Sequence, residues 1–316
     1  MTRLAAITGG TGFLGRHAAS ALAARGWRLR LLVRRAPDLP ELADQVIELV
    51  PGDLSEPASL ARLVEGADLI LHSGGLVKAA TREAFFRANA DGAEALARAW
   101  AAGAPGARFL LVSSMAAREP QLSHYAASKR EGEARIAAVA PEGADWRALR
   151  PAAIYGPHDH ETLKVLKLAN GRLQFMLNAG EARVGMVAVR DAAEAIAALA
   201  EAPGRGETFE LIDMRRDGYA WRELAETAAL ALGHAPRPLR IPAPALRIAG
   251  AVGGALAAVT GRAEMLTAGK VRELLWPDWS TDPALPPIPP EIWAPKIGLA
   301  AGLAEMVAWA RAAGKI

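Results

Sequence analysis

The chain has 316 residues, 52% of them hydrophobic and 22% charged, which allows about two domains and a substantial buried core. The net charge of +3 is small, and the basic residues are scattered without runs or interleaved aromatics, so a nucleic-acid surface is excluded. With no cysteine, disulfides, thiolate nucleophiles and thiolate metal sites are excluded too, and a reducing, cytoplasmic compartment fits.

An apolar run at residues 4–7 reads as a buried strand, and its closeness to the start leaves no room for a cleaved leader. Glycines follow at Gly9, Gly12 and Gly15, and a helical pattern then continues through Leu22. Strand, glycine-rich turn and helix together form the context of a dinucleotide-binding motif. Gly9 permits a tight turn, Gly12 opens the backbone N–H groups to a pyrophosphate, and Gly15 lets the helix pack closely. The first helical turn favours an anion. Thr8, Thr11, Phe13 and Leu14 complete this candidate loop.

Residues 27–33 read as a second strand ending in Val33-Arg34-Arg35. An acid at that place would bond the ribose hydroxyls of NAD, whereas an arginine pairs with a 2′-phosphate. Arg34 therefore favours NADP(H) over NAD(H). A third strand at residues 46–50 precedes Asp53 and Leu54, read as adenine contacts, with a turn or helix cap as the plainer role for Asp53. A fourth, at residues 68–72, ends in His72-Ser73-Gly74-Gly75, where Ser73 and Gly74 let a dinucleotide lie across the strand tips. His72 has no partners at metal-ligand spacing, so no metal is expected.

A helix containing Asn89 and a fifth strand at residues 108–113 lead to Ser114. Tyr125 and Lys129 follow, four residues apart and so on one helix face. A phenol near its ordinary pKa exchanges protons poorly at neutral pH, and an adjacent cation is expected to lower that pKa. Ser114, at a strand tip, is placed to hydrogen-bond a substrate oxygen.

Thr8-Gly-Gly-Thr-Gly-Phe-Leu-Gly15, Asp53-Leu54, Ser113-Ser114, Tyr125-x-x-x-Lys129 and Arg150-Pro-Ala-Ala-Ile-Tyr-Gly-Pro157 occur in the order found in the extended short-chain dehydrogenase/reductase superfamily, which the first half of the chain resembles. The resemblance implies an α/β fold, a Rossmann-type doubly wound parallel sheet with a smaller C-terminal α+β substrate domain. It also implies hydride transfer, with Tyr125 as acid/base, Lys129 on the ribose hydroxyls, Ser114 orienting the carbonyl, and Pro151 to Ile154 beside the nicotinamide. Two departures narrow the activity. Ser114 is followed by Met115-Ala116 and not by the Asp-Glu pair of sugar-nucleotide dehydratases, and the second strand ends in Val33 and not in the acid of NAD-holding epimerases. Both favour a simple carbonyl reductase.

The expected division is a dinucleotide-binding domain at 1–157, with 187–204 returning to it, and a substrate domain at 158–186 and 205–316. Asp191 is read as the N-cap of a helix in the returning segment. Residues 241–261 form an apolar, small-residue helical stretch flanked by Arg247 and Arg262. Its longest uncharged run, residues 248–261, is 14 residues, short of the about 20 of a spanning helix. A buried packing helix is the default here, with an apolar substrate mouth or peripheral contact with a membrane surface as the alternatives. The tail carries Trp276, Trp279, Trp293 and a proline run; rigid aromatics of this kind line pockets or seal a domain.

The reading that results is an NADP(H)-dependent reductase of a ketone on a hydrophobic small molecule, such as a 3-oxo-ceramide, 3-oxosphingoid or steroid-like ring. A homodimer is compatible with it. The rivals are a nucleotide-sugar epimerase or reductase using NAD, and a non-catalytic dinucleotide-binding scaffold.

Overall fold

The computed structural model describes residues 3–169, 174–177, 182–235, 238–264 and 266–316. Seven strands form one sheet: β1 (Leu4–Thr8), β2 (Arg28–Val33), β3 (Ile47–Pro51), β4 (Leu69–His72), β5 (Arg108–Val112), β6 (Trp146–Pro151) and β7 (Glu207–Leu211). All neighbours pair in parallel, in the order β7-β6-β5-β4-β1-β2-β3. Parallel strands need crossovers, and the helices between them cover both faces, so every residue of β1 and β4 is buried.

Successive side chains alternate between two cores. Ala5, Ile7, Leu29, Leu31, Leu69 and Leu71 meet the helices Phe13–Ala24 and Val189–Leu199. Ala6, Ile70, Phe109 and Leu111 meet the helices Pro57–Val64 and Gly92–Gly103. Strand order reverses between β1 and β4, which opens a crevice at their carboxyl ends, the usual ligand position in open α/β sheets.

The remaining elements cluster at that end of the sheet. Ala153–Tyr155 pairs with Met186–Ala188. Arg183–Val184 lies between Tyr219–Ala220 and Asp278–Trp279, and Gln174–Leu177 pairs with Pro238–Ile241. Helices His160–Ala169, Trp221–Leu232, Ala243–Thr260, Ala268–Leu274 and Leu299–Ala312 complete the smaller α+β region. The sheet itself reaches further along the chain than the sequence suggests, because residues 207–211 pair with β6.

Two expectations are corrected. Asp191 is not an N-cap: the helix begins at Val189 with Ala188 before it, and the buried Asp191 carboxylate instead accepts the Lys296 and Ile297 N–H groups, both at 2.8 Å. It ties the tail to the returning helix, a long-range partnership that local capping rules do not contain. Nor is the apolar stretch a buried packing helix, since only 17% of Ala243–Thr260 is buried.

Candidate active site

The glycine-rich turn follows β1 directly. Gly9 takes a φ of +71°, open to glycine at little cost, and a Cβ there would lie 2.6 Å from the backbone of Ser73 and Gly74. A Cβ on Gly15 would overlap the Gly9 carbonyl, so only glycine lets the helix start this close to the strand. Gly12 stands at the helix N-cap without a side chain, and the first turn carries no acid. Bare N–H groups and the positive end of the helix dipole thus face the crevice, an arrangement suited to a pyrophosphate.

A cavity of about 860 Å³ opens from this turn. Of the residues singled out from sequence, Gly9, Thr11, Gly12, Phe13, Leu14, Gly15, Ser73, Ser114, Tyr125, Lys129, Pro151 and Ile154 line it. The other five stand outside its wall. Thr8 is buried behind it, with its hydroxyl 2.6 Å from His72 Nδ1. Gly74 packs against Thr8, where a Cβ would be 3.1 Å from the hydroxyl. Leu54 packs beneath Gly92. Asp53 accepts the Ser55 N–H at 2.7 Å and hydroxyl at 2.6 Å, which is its plainer turn role, and this holds its carboxyl below the usual range. Arg34 is exposed and close enough to Asp53 to favour its charged form. Arg34 directly follows β2, and Asp53 lies just past the end of β3.

Tyr125 sits in the first turn of the helix His124–Val139, whose N-cap is Ser123. Its phenol lies close enough to the Ser114 hydroxyl for that group to lower its pKa. Lys129, one turn on, donates to the Val112 carbonyl at 3.0 Å. Glu133, a further turn along the same face, accepts Arg150 at 2.9 and 2.6 Å and the Ser113 hydroxyl. One helix face thus carries phenol, ammonium and carboxylate in succession, fastened to the ends of β5 and β6. Gly132 lets this helix touch the backbone of Asn89. Asn89, in a π-helical turn at Arg87–Asp91, brackets Leu76 through its N–H (2.8 Å) and carbonyl (3.0 Å) and donates to Ser128 at 2.9 Å. It fixes the loop after β4 against the helix of Tyr125.

The electrostatics depart from expectation. Burial pushes the Tyr125 phenol up to about 12, the Ser114 hydroxyl only partly opposing it, and Glu273 adds to the rise. Burial also brings Lys129 down to about 8, against the pull of Glu133, and His72 down to about 3, the Lys129 cation adding to that fall. Desolvation decides the direction, so the phenol is neutral at physiological pH and poised as a proton donor.

Sequence reasoning missed the wall contributed by distant segments. His158 to Thr162, Val184, Gly185, Trp221, Lys270, Glu273 and Leu274 all face the cavity. Arg16, at the close of the glycine motif, also lines it, held 3.2 Å from Glu41. Of the tail tryptophans, Trp279 lines the cavity and donates to the Glu273 carbonyl at 2.8 Å. Trp276 rests against Trp279 at a centroid distance of 6.5 Å, and Trp293 packs on the sheet core.

A family model described as the NAD dependent epimerase/dehydratase family matches residues 5–213. The chain is 47% identical over 309 residues to a ceramide reductase of Caulobacter vibrioides (strain NA1000 / CB15N), covering 98% of this chain and 95% of that protein. It is 30% identical over 225 residues to a 4-hydroxy-2-methyl-3-oxo-4-farnesyl-3,4-dihydroquinoline-1-oxide ketoreductase of Stigmatella aurantiaca, covering 66% of this chain and 67% of that one. Among solved structures, that of gox2253 superposes with a TM-score of 0.76 at 24% identity over the full length of both chains, a likeness of fold.

Proposed function

Because this chain belongs to the NAD-dependent epimerase/dehydratase family and is an NAD(P)-dependent oxidoreductase, we propose that it uses NADPH to reduce the ketone of a ceramide-like lipid, a 3-oxo-ceramide or 3-oxosphingoid base, to a secondary alcohol. The likeness to a ceramide reductase over nearly the whole of both chains carries this reading. The cavity supports it: Met115, Val184, Trp221, Leu274 and Trp279 supply an apolar wall around Ser114 and Tyr125.

The residues present suit the cofactor. The Gly9 turn and the first turn after Gly12 would hold the pyrophosphate, Lys129 the nicotinamide ribose, and Arg34 the 2′-phosphate. When bound, NADPH supplies the hydride. The rest falls to this chain. Ser114 orients the carbonyl oxygen and polarises it. Tyr125, kept protonated by its buried surroundings, passes its proton to that oxygen as it becomes an alkoxide. The transfer is downhill, because a phenol is a stronger acid than a secondary alcohol. Lys129 balances the charge left on the phenolate until solvent returns the proton. Ketone, hydride and proton thus sum to the alcohol.

Sugar-nucleotide chemistry is the weaker reading. After Ser114 the chain continues with buried Met115 and Ala116 in a short helical turn, and no acid-base pair stands there. A non-catalytic scaffold leaves the gathering of Ser114, Tyr125 and Lys129 around one cavity without purpose.

The test incubates the pure protein with NADPH or NADH and, separately, a 3-oxo-ceramide, a 3-oxosphingoid base, a steroid ketone and a UDP-sugar, and reads products by mass spectrometry. Gain of two hydrogens by the sphingolipid ketones with NADPH is expected. Turnover of the UDP-sugar alone would reject the lipid reading, and a preference for NADH would reject the role given to Arg34.

A further inference from the structure

The helix Ala243–Thr260 has a mean hydropathy of 1.4 over 18 residues, enough by length and composition to cross a bilayer. One side of it is nonetheless committed to protein. Leu246, Gly250 and Ala257 are buried, and a Cβ on Gly250 would meet Val271 at 2.6 Å, while one on Gly253 would overlap the Leu266 carbonyl. These positions recur every three or four residues and make one stripe. Ile248, Val252, Leu256 and Val259 recur at the same interval on the opposite side and are 66, 62, 48 and 86% exposed. A helix with one packed face and one bare apolar face lies along an interface and does not span it.

The charge along this stretch of the chain has one sign. Between Glu226 and Glu264 the chain has no acidic residue and four arginines, Arg237, Arg240, Arg247 and Arg262, although the whole chain holds 34 acids. Arg240, Arg247 and Arg262 are exposed, and none pairs with a carboxylate among the described residues. An apolar stripe flanked by exposed, unpaired arginines complements anionic headgroups over a hydrocarbon layer. It suits a second copy of itself poorly, since a two-fold contact would set the same arginines against one another.

The helix also adjoins the candidate site through its packed face. The helix Ala268–Leu274, on which Ala243–Thr260 packs, contributes Lys270, Glu273 and Leu274 to the cavity wall. That cavity must take the reacting end of a dinucleotide as well as substrate, so the chains of a long lipid extend beyond its about 860 Å³. We propose that the protein docks on an anionic bilayer surface through Ile248, Val252, Leu256 and Val259, with Arg247 and Arg262 at the headgroups, and draws its lipid ketone from that surface. The purpose of docking rests on the lipid-ketone reading; the docking itself does not.

Flotation of the full-length protein with vesicles of phosphatidylcholine alone, or of equal parts phosphatidylcholine and phosphatidylglycerol, tests this. The protein is expected to float with the mixed vesicles and to be released by salt. Each of Arg247→Gln and Arg262→Gln should lower partitioning about fivefold. Val252→Glu should abolish flotation while leaving the thermal midpoint and the reduction of a water-soluble ketone as in wild type. Wild-type protein that floats with neither vesicle, or a Val252→Glu variant that floats like wild type, overturns the proposal. So does a dimer in size-exclusion chromatography that Val252→Glu splits, which would make the stripe a self-interface. Reduction of soluble ketones without flotation rejects docking alone, and flotation without reduction of any ketone rejects the proposed reaction alone.

Discussion

Ser123 joins the helix of Tyr125 to Glu273 of the C-terminal region: its hydroxyl accepts the Ala126 N–H at 2.9 Å as an N-cap and donates to the buried Glu273 carboxylate. Glu273 also takes Lys270 at 2.9 Å and lies near enough to raise the Tyr125 pKa. The C-terminal region therefore closes the cavity and also sets the field at the phenol.

Two variants separate these roles. Ser123→Ala removes a cap and a buried donor together, and should cost about 1–3 kcal/mol in urea unfolding. Glu273→Gln keeps the size and removes the charge. It should move the basic limb of the kcat/KM profile to lower pH, because a phenolate no longer faces a carboxylate. An unmoved limb would show that Tyr125 does not feel Glu273.

Tyr125→Phe keeps the ring, its contact with Phe85 at a centroid distance of 6.1 Å, and the whole glycine-rich turn, and removes only the hydroxyl. Turnover should fall about 10²–10⁴-fold, the range expected for a general acid. NADPH binding, followed by nicotinamide fluorescence, should be unchanged. Turnover equal to wild type would remove Tyr125 from the reaction.

Sequence carried the first half of this site well because its signals are local. The glycine spacing before a helical pattern, the apolar strands, and a tyrosine and lysine four residues apart all depend on near neighbours. Trp221, Lys270, Glu273 and Leu274 were missed because they reach the cavity through tertiary packing of segments far along the chain, where no short spacing marks them. Asp191 looked like a cap for the same reason: its partners, the N–H groups of Lys296 and Ile297, lie more than a hundred residues away. The pKa of Tyr125 was misjudged in sign because the i, i+4 spacing to Lys129 can be read from sequence, and the burial that raises it cannot.

Acid should destabilise the protein early, through His72. Its folded pKa is lowered to about 3 from 6.5 by burial, then by Lys129. Between those values the unfolded chain binds a proton that the folded one does not, so stability is lost as pH falls below 6.5. Down to about pH 5, where few carboxylates titrate, one such histidine removes about 2 kcal/mol. His17 and His158 are also lowered by burial and add to the slope, so the comparison needed is wild type against His72→Asn. The variant should flatten part of the decline in urea stability over that interval. Parallel curves would mean that His72 stays accessible to protons in the fold.

Glu133 is the last test, because it holds three elements at once. Its carboxylate accepts Arg150 from β6 and Ser113 from the end of β5, and it lies on the helix face of Tyr125 and Lys129. Both charged groups are buried, Glu133 at 7% and Arg150 at 5% exposure. Removing one partner leaves the other charge unpaired, so Glu133→Leu should cost about 3–5 kcal/mol in urea unfolding. Adding Arg150→Met should recover much of that stability, since the pair is then replaced by apolar groups of similar size. Activity should not return with it. Glu133 raises the Lys129 pKa, and without that carboxylate more of the lysine is neutral near pH 8. If the double variant regains both stability and turnover, the network is packing alone and the charge on Lys129 does not depend on it.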